Sequence, residues 1–237
     1  MGPELLQKTR AIEFLRPSQI RAELAERSLV YLPLGTIEWH CQHLPVGLDG
    51  LTAHGVCLRA AKISKGLVWP TLYYGTGGDH GQYPWTVMMD TGDELEGLLR
   101  KTLTRLADLA VKRVVLFSGH FADDQLDLID KLASELSGEK DMSVVATSVN
   151  RFDVPGFLPD HAGRFETTLL AGLHPNTIDL GSLAPANPSD EEKSRHDPSH
   201  TLWGVIGADP RCSQLKKGPD LVDHIATKLV TLAINGI

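Results

Sequence analysis

Glu38, His40, His43 and Asp49 fall within a dozen residues, directly after an apolar run that ends at Gly35. In extended backbone alternate side chains face the same way, so Glu38 and His40 are aimed together. A carboxylate beside an imidazole is the start of a divalent metal site. Asp49, returning after Pro45, has two oxygens with which to bridge two ions. The competing reading is a polar loop whose histidines cap neighbouring backbone groups. A second group, Ser118-Gly119-His120, follows another apolar run. Gly119 suggests a tight turn that points His120 back across the sheet edge. Asp123 and Asp124 behind it suit a helix N-terminus, where acidic charge meets the macrodipole. The third group, Asp160 to Thr168, puts His161 next to a helix start that carries Glu166. Cys41 reads as a soft ligand or as a small buried residue.

The elements that must position these groups alternate. Residues 28–34, 67–70, 113–117 and 142–147 are short apolar runs and predict strands. Residues 19–27, 50–63, 94–110, 124–137, 165–173 and 220–234 have helical spacing, with Pro17-Ser18 and Asp90 to Asp93 as helix-start signals. Strands separated by helices imply a three-layer α/β sandwich, a mostly parallel sheet with helices on both faces, in one domain over residues 1–237. Ligands of such sheets bind beyond the carboxyl ends of the strands, where all three polar groups fall. Residues 75–81 form a glycine-rich loop with His80, and residues 181–219 read as an excursion over the surface.

Composition narrows the classes. The 237 residues are 42% hydrophobic and 22% charged, which excludes a disordered chain, a collagen-like repeat and a coiled coil. The formal net charge of −7 argues against nucleic acid as a partner. No apolar stretch approaches a membrane span, and the segment beginning MGPELLQKTR lacks a secretory core, so a cytoplasmic location is expected. Leu6 stands where a myristoylation signal needs Ser or Thr. Three cysteines without a CxxC pair fit reduced thiols.

The ordered motifs resemble those of the creatininase (creatinine amidohydrolase) family. Glu38, His40, His43, Leu44, Pro45 and Asp49 match its first motif. Gly119 and His120 match the second, with Ser118 in place of Asn; His161, Ala162, Gly163, Glu166 and Thr167 match the third. Further matches are Tyr74-Gly75 through His80 and Thr86, and Gly204 to Gly207 with Asp209-Pro210. The resemblance implies a hydrolase with two divalent metal ions, zinc with a second zinc, manganese or iron. It implies that Glu38, Asp49 and His120 hold one ion and that His40 and Asp49 hold the other. Where family members carry a carboxylate two residues after the second-motif histidine, this chain has Ala122. Glu166 takes that role, with Asp123 the weaker candidate.

By the same resemblance His161 is the proton shuttle, His80 contacts substrate or orients water, and His43 fixes the loop. Cys41 and Trp85 replace common glycines, and Trp39 and Trp85 are read as pocket residues that select the substrate. The leading reading is attack of activated water on a cyclic amide or related C–N carbonyl of a small polar molecule. The alternatives are ring opening of a carbocyclic diketone of the oxidised-inositol type and a non-catalytic small-molecule-binding homologue. Family members commonly form homo-oligomers, often hexamers.

Overall fold

The computed structural model describes residues 9–187 and 195–235. The readings of the first eight residues, and of the part of the 181–219 excursion at 188–194, lie outside the described residues. The elements are α1 (Pro17–Glu26), β1 (Leu29–Leu34), α2 (Leu48–Ser64), β2 (Leu67–Val68), β3 (Gly75–Thr76), β4 (Met88–Met89), α3 (Asp93–Asp108), β5 (Arg113–Ser118), α4 (Asp123–Leu136), β6 (Ser143–Ser148), α5 (Arg164–Ala171) and α6 (Gly218–Asn235). Four parallel strands form a sheet in the order β2-β1-β5-β6.

Period-two alternation sorts the strand side chains onto two faces. Tyr31, Val115 and Phe117 pack with Val56 and Cys57 of α2, Phe165 of α5 and Ile225 and Leu229 of α6. Val30, Leu32, Leu34, Val114 and Leu116 pack on the other face with Leu99 and Leu103 of α3 and Ile129 and Leu132 of α4. Every residue of β1 is buried, as a strand covered on both faces requires. The expected three-layer α/β sandwich is therefore the observed one.

The sequence reading missed or misplaced three features. Helix α1 begins at Pro17, so Ser18 lies inside the first turn instead of capping it. The glycine-rich loop contains a small parallel ribbon, Gly75 opposite Met88 and Thr76 opposite Met89, too short to show a period. Residues 181–219 do not simply cross the surface. Leu183, Leu202 and Val205 are buried against Cys41, Leu44, Leu48, Ala162 and Leu170, forming a third apolar cluster that braces the loop after β1.

Strands β1 and β5 end in register, Leu34 opposite Ser118, and the Gly119 amide donates to the Leu34 carbonyl at 2.8 Å. The N-terminus of α2 sits between these two ends. A Cβ on Gly35 would lie 2.2 Å from the Gly50 nitrogen, and one on Gly119 would lie 2.1 Å from the Asp49 carbonyl oxygen. Gly119 is thus required by close approach, since its φ is not among the positive ones. Both glycines let Asp49 reach the sheet edge from which residues 38–40 and His120 emerge.

Candidate metal centre

Five side chains converge at this edge, and all five are buried: Glu38, His40, Asp49, His120 and Glu166. His120 Nδ1 lies 3.0 Å from Glu38 Oε2 and 3.3 Å from Asp49 Oδ2. His40 Nε2 lies 3.2 Å from Asp49 Oδ1 and 3.7 Å from Glu166 Oε2. The two oxygens of Asp49 thus face two different histidines. Glu166 is carried in the first turn of α5, and its Oε2 accepts the Ala162 amide at 2.6 Å. Asp160 accepts the amides of Phe165 at 2.8 Å and Glu166 at 3.2 Å, which fixes the start of that helix. His43 turns away and pairs with the Thr167 hydroxyl at 3.0 Å.

Backbone acceptors fix the tautomers of both histidines. Carbonyl oxygens only accept, so the ring nitrogen beside one must carry the hydrogen. His40 Nδ1 donates to the Glu38 carbonyl at 3.0 Å, which leaves Nε2 facing the carboxylates. His120 Nε2 faces the carbonyls of Thr76 at 3.2 Å and Gly77 at 3.3 Å, which leaves Nδ1 facing Glu38 and Asp49. Buried Glu38 Oε2, His40 Nε2 and Asp49 Oδ2 make no hydrogen bond despite this proximity. Lone pairs aimed at a shared centre without a hydrogen between them fit a cation. Glu38, His40 and Asp49 form one ligand group of metal-site dimensions; His40, His161 and Glu166 form another, and Glu38, His80 and His161 a third. The oxygen and imidazole donors suit zinc, manganese or iron.

Without a cation, protons balance the charge. Burial opposes protonation of His40, but the Asp49 carboxylate prevails and pushes its pKa up to about 10. Burial likewise opposes protonation of His120, yet the adjoining carboxylates of Asp49 and Glu38 raise it well above the usual range. Glu38 and Asp49 are lowered against the cost of burial, by the His120 and His80 rings and by the charge of His40 respectively. Glu166 is raised by burial, and the charge of Asp49 adds to this. His161 is lowered to about 3 by burial and then by the charge on His40, so its ring is neutral.

A cavity of about 260 Å³ opens onto the cluster. Its lining includes Glu38, Asp49, His80, His120, His161 and Glu166 together with the apolar Phe121, Ala122, Pro159 and Ile206. His161 Nε2 donates to the Trp39 carbonyl at 3.0 Å, leaving Nδ1 as a free acceptor 3.9 Å from Glu38 Oε1. The backbone of His161 pairs with Ile206 in both directions at 3.0 Å, so the Gly204 to Gly207 run positions this histidine. His80 Nδ1 hydrogen-bonds Glu38 Oε1, and its ring lies 4.1 Å from that of His161.

Several sequence readings need correction. Neither Trp39 nor Trp85 lines the cavity. Trp39 faces the opposite way from its neighbours Glu38 and His40; its indole donates to the Trp203 carbonyl at 3.0 Å and packs on the Trp203 ring. Trp85 is 78% exposed. Asp123 lies exposed in the first turn of α4 and belongs to none of the ligand groups. Cys41 is buried in the third apolar cluster, its thiol against the Thr201 carbonyl, as a small buried residue would be. Sequence reasoning missed Gln125, which is wholly buried behind His120.

A family model described as "Creatininase: Creatinine amidohydrolase" matches residues 13–233. A creatinine amidohydrolase of Pseudomonas putida is 31% identical over 185 residues, 68% of this chain and 70% of that protein. A mycofactocin precursor peptide peptidase of Mycolicibacterium smegmatis is 28% identical over 174 residues, 67% of this chain and 63% of that protein. Among solved structures, creatininase in a manganese form superposes with a TM-score of 0.75 at 26% identity, covering 94% of this chain and 97% of that one. A point variant of creatininase described as the zinc–zinc type gives 0.75 at 26%, covering 94% and 96%. A complex of that variant with creatine gives 0.75 at 26%, covering 94% and 97%.

Proposed function

Because this chain belongs to the creatininase family of metal-dependent hydrolases, we propose that it uses two divalent ions to hydrolyse a cyclic amide or related C–N carbonyl of a small polar molecule. One observation carries the reading: Asp49 presents Oδ1 to His40 and Oδ2 to His120, 3.2 and 3.3 Å away, all three side chains being buried. On this reading Glu38, Asp49 and His120 hold one ion, and His40, Asp49 and Glu166 hold the other. Three carboxylates then face a charge of +4, and with neutral imidazoles the site keeps a net charge of +1. When bound, such ions supply water of lowered pKa and a Lewis acid for the carbonyl.

The protein's own groups do the rest. His161 takes a proton from water at its free Nδ1 and delivers it to the leaving nitrogen, while its Nε2–H bond to Trp39 holds the ring in place. His80 orients Glu38 through their hydrogen bond. At about 260 Å³ the cavity suits a small molecule. Amide hydrolysis is favoured over diketone ring opening because both relatives carry names that denote cleavage of amide-type C–N bonds. The complete set of ligand-type residues favours an enzyme over a binding homologue.

The test is metal analysis together with a panel of cyclic amides, creatinine first, assayed for ring opening. About two ions per chain and turnover abolished by Glu38→Ala or His120→Ala are expected. Metal-free protein from chelator-free buffers, or full activity in both variants, would overturn the assignment.

A further inference from the structure

A closed ring of hydrogen bonds lies behind His120, on the side away from the cavity. His120 Nε2–H donates to the Thr76 carbonyl at 3.2 Å. The Thr76 amide donates to Gln125 Oε1 at 3.0 Å, and Gln125 Nε2 donates to Ser118 Oγ at 2.7 Å. Ser118 Oγ in turn donates to the His120 carbonyl. Each link has one possible direction. The Thr76 amide can only donate, which sets the orientation of the Gln125 side chain; its NH₂ group then faces Ser118, whose single hydrogen goes to His120. Gln125 and Ser118 are wholly buried, so a missing link would find no water in its place.

The surrounding backbone makes room for this ring. A Cβ on Gly75 would lie 2.7 Å from Gln125 Oε1, so the bare backbone at 75 admits the amide. The ring ties the end of β5, the first turn of α4 and strand β3 into one unit. Gln125 is neither among the residues lining the cavity nor in any of the ligand groups found among the described residues.

We infer that Gln125, acting through Thr76 and Ser118, is a positioning residue that holds His120 in the Nε2–H tautomer, with Nδ1 presented to Glu38 and Asp49. The inference rests on the reading of His120 as a metal ligand. Outer hydrogen bonds that orient a ligating histidine are worth about 10–100-fold in metal affinity. Losing Gln125 therefore weakens the ion on the His120 side and spares the one on the His40 side.

The experiment titrates zinc into metal-stripped protein, wild type against Gln125→Met, with the fold monitored by circular dichroism. Nitrogen-15 correlation spectra of the imidazoles, taken at a zinc level that fills the wild-type sites but not one weakened tenfold, report the His120 tautomer. Expected are a native fold, one of two zinc equivalents weakened by about 10–100-fold, and loss of the single Nε2–H signature of His120. Wild-type affinity for both equivalents, or an unchanged tautomer, overturns the inference. Should Gln125→Met fail to fold, Ser118→Ala, which removes one oxygen from the same ring, decides by the same two readouts. His120→Ala separates the two layers of the argument. If it leaves zinc binding intact, the ligand reading itself is wrong; if it removes one equivalent while the Gln125 and Ser118 variants do not, only the positioning role fails.

Discussion

The two histidines at the centre of the cluster are held in different ways. His120 leaves the end of β5, and its ring is backed by Thr76, Gln125 and Ser118, all part of the packed sheet-and-helix frame. His40 lies in a loop, and its neighbour Glu166 in a helix start entered from a loop, both braced by the small third apolar cluster, where the chain takes left-handed backbone at Cys41 (φ 59°) and Ala162 (φ 53°). One side is tied by hydrogen bonds to regular structure around it. The other is shaped by backbone that non-glycine residues adopt at a cost. A centre assembled this way has a side set by the fold and a side open to variation, with Asp49 shared between them.

The sharpest way to break the comparison is to remove what both sides share. Asp49→Ala is expected to abolish turnover and bind neither ion tightly, whereas Glu166→Gln is expected to lose about one equivalent and keep the His120-side ion. Metal analysis of the two purified variants checks this; equal losses would mean that the sides are not separable.

Proton balance gives a second handle. In metal-free protein His40 is raised from its ordinary value to about 10 by Asp49, against the opposing effect of burial. A group whose pKa rises on folding contributes stability that is complete below its unfolded pKa, about 6.5, and is lost as pH climbs through the folded value. Metal-free protein should therefore lose thermal stability between about pH 7 and pH 10, while metal-loaded protein, which needs a deprotonated ligand, should not. Melting temperatures of both forms across that window test the sign. A constant gap would remove His40 from the cluster's charge balance.

How far each side could be read in the sequence follows from the same contrast. The buried strands and the outward turn at Gly119-His120 show as apolar runs with a fixed period, and alternation alone places Glu38 with His40. That rule also puts Trp39 on the opposite side, against its reading as a pocket residue. Glu166 is different: its approach to His40 depends on a loop, on Asp160 and on the pairing of His161 with Ile206, none of which has a local period. Its place at a helix start and the motif resemblance pointed to it. Gln125 left no signal, because one polar residue in the first turn of an amphipathic helix looks like surface until the fold buries it.

Asp160 is the loop-side counterpart of the ring behind His120. Its two oxygens hold the amides of Phe165 and Glu166, and burial pushes its pKa up to about 6. Asp160→Asn replaces one acceptor by a donor, which loosens the first turn of α5. Its expected effect is a loss of about 10-fold in affinity for the Glu166-side ion, the low end for outer-sphere changes, with the other ion unaffected. Calorimetric titration would show this as one weakened step; two weakened steps would indicate a general loss of structure.

The smallest expected effect isolates backbone strain from side-chain packing. Trp85 is in left-handed backbone at φ 61° and is 78% exposed, so removing its side chain forfeits little burial. Relief of a left-handed non-glycine residue is worth roughly 1–2 kcal/mol, offset by roughly 0.5–1 kcal/mol for the greater freedom of unfolded glycine. Trp85→Gly should therefore raise stability by up to about 1.5 kcal/mol, read as a higher urea midpoint at unchanged slope. Cys41→Gly relieves the same kind of strain at φ 59° but gives up a buried thiol packed in the third cluster, so its midpoint should move little. A destabilised Trp85→Gly would mean that the indole is covered by something in solution. The natural check is then whether the oligomeric state, measured by light scattering, falls with it.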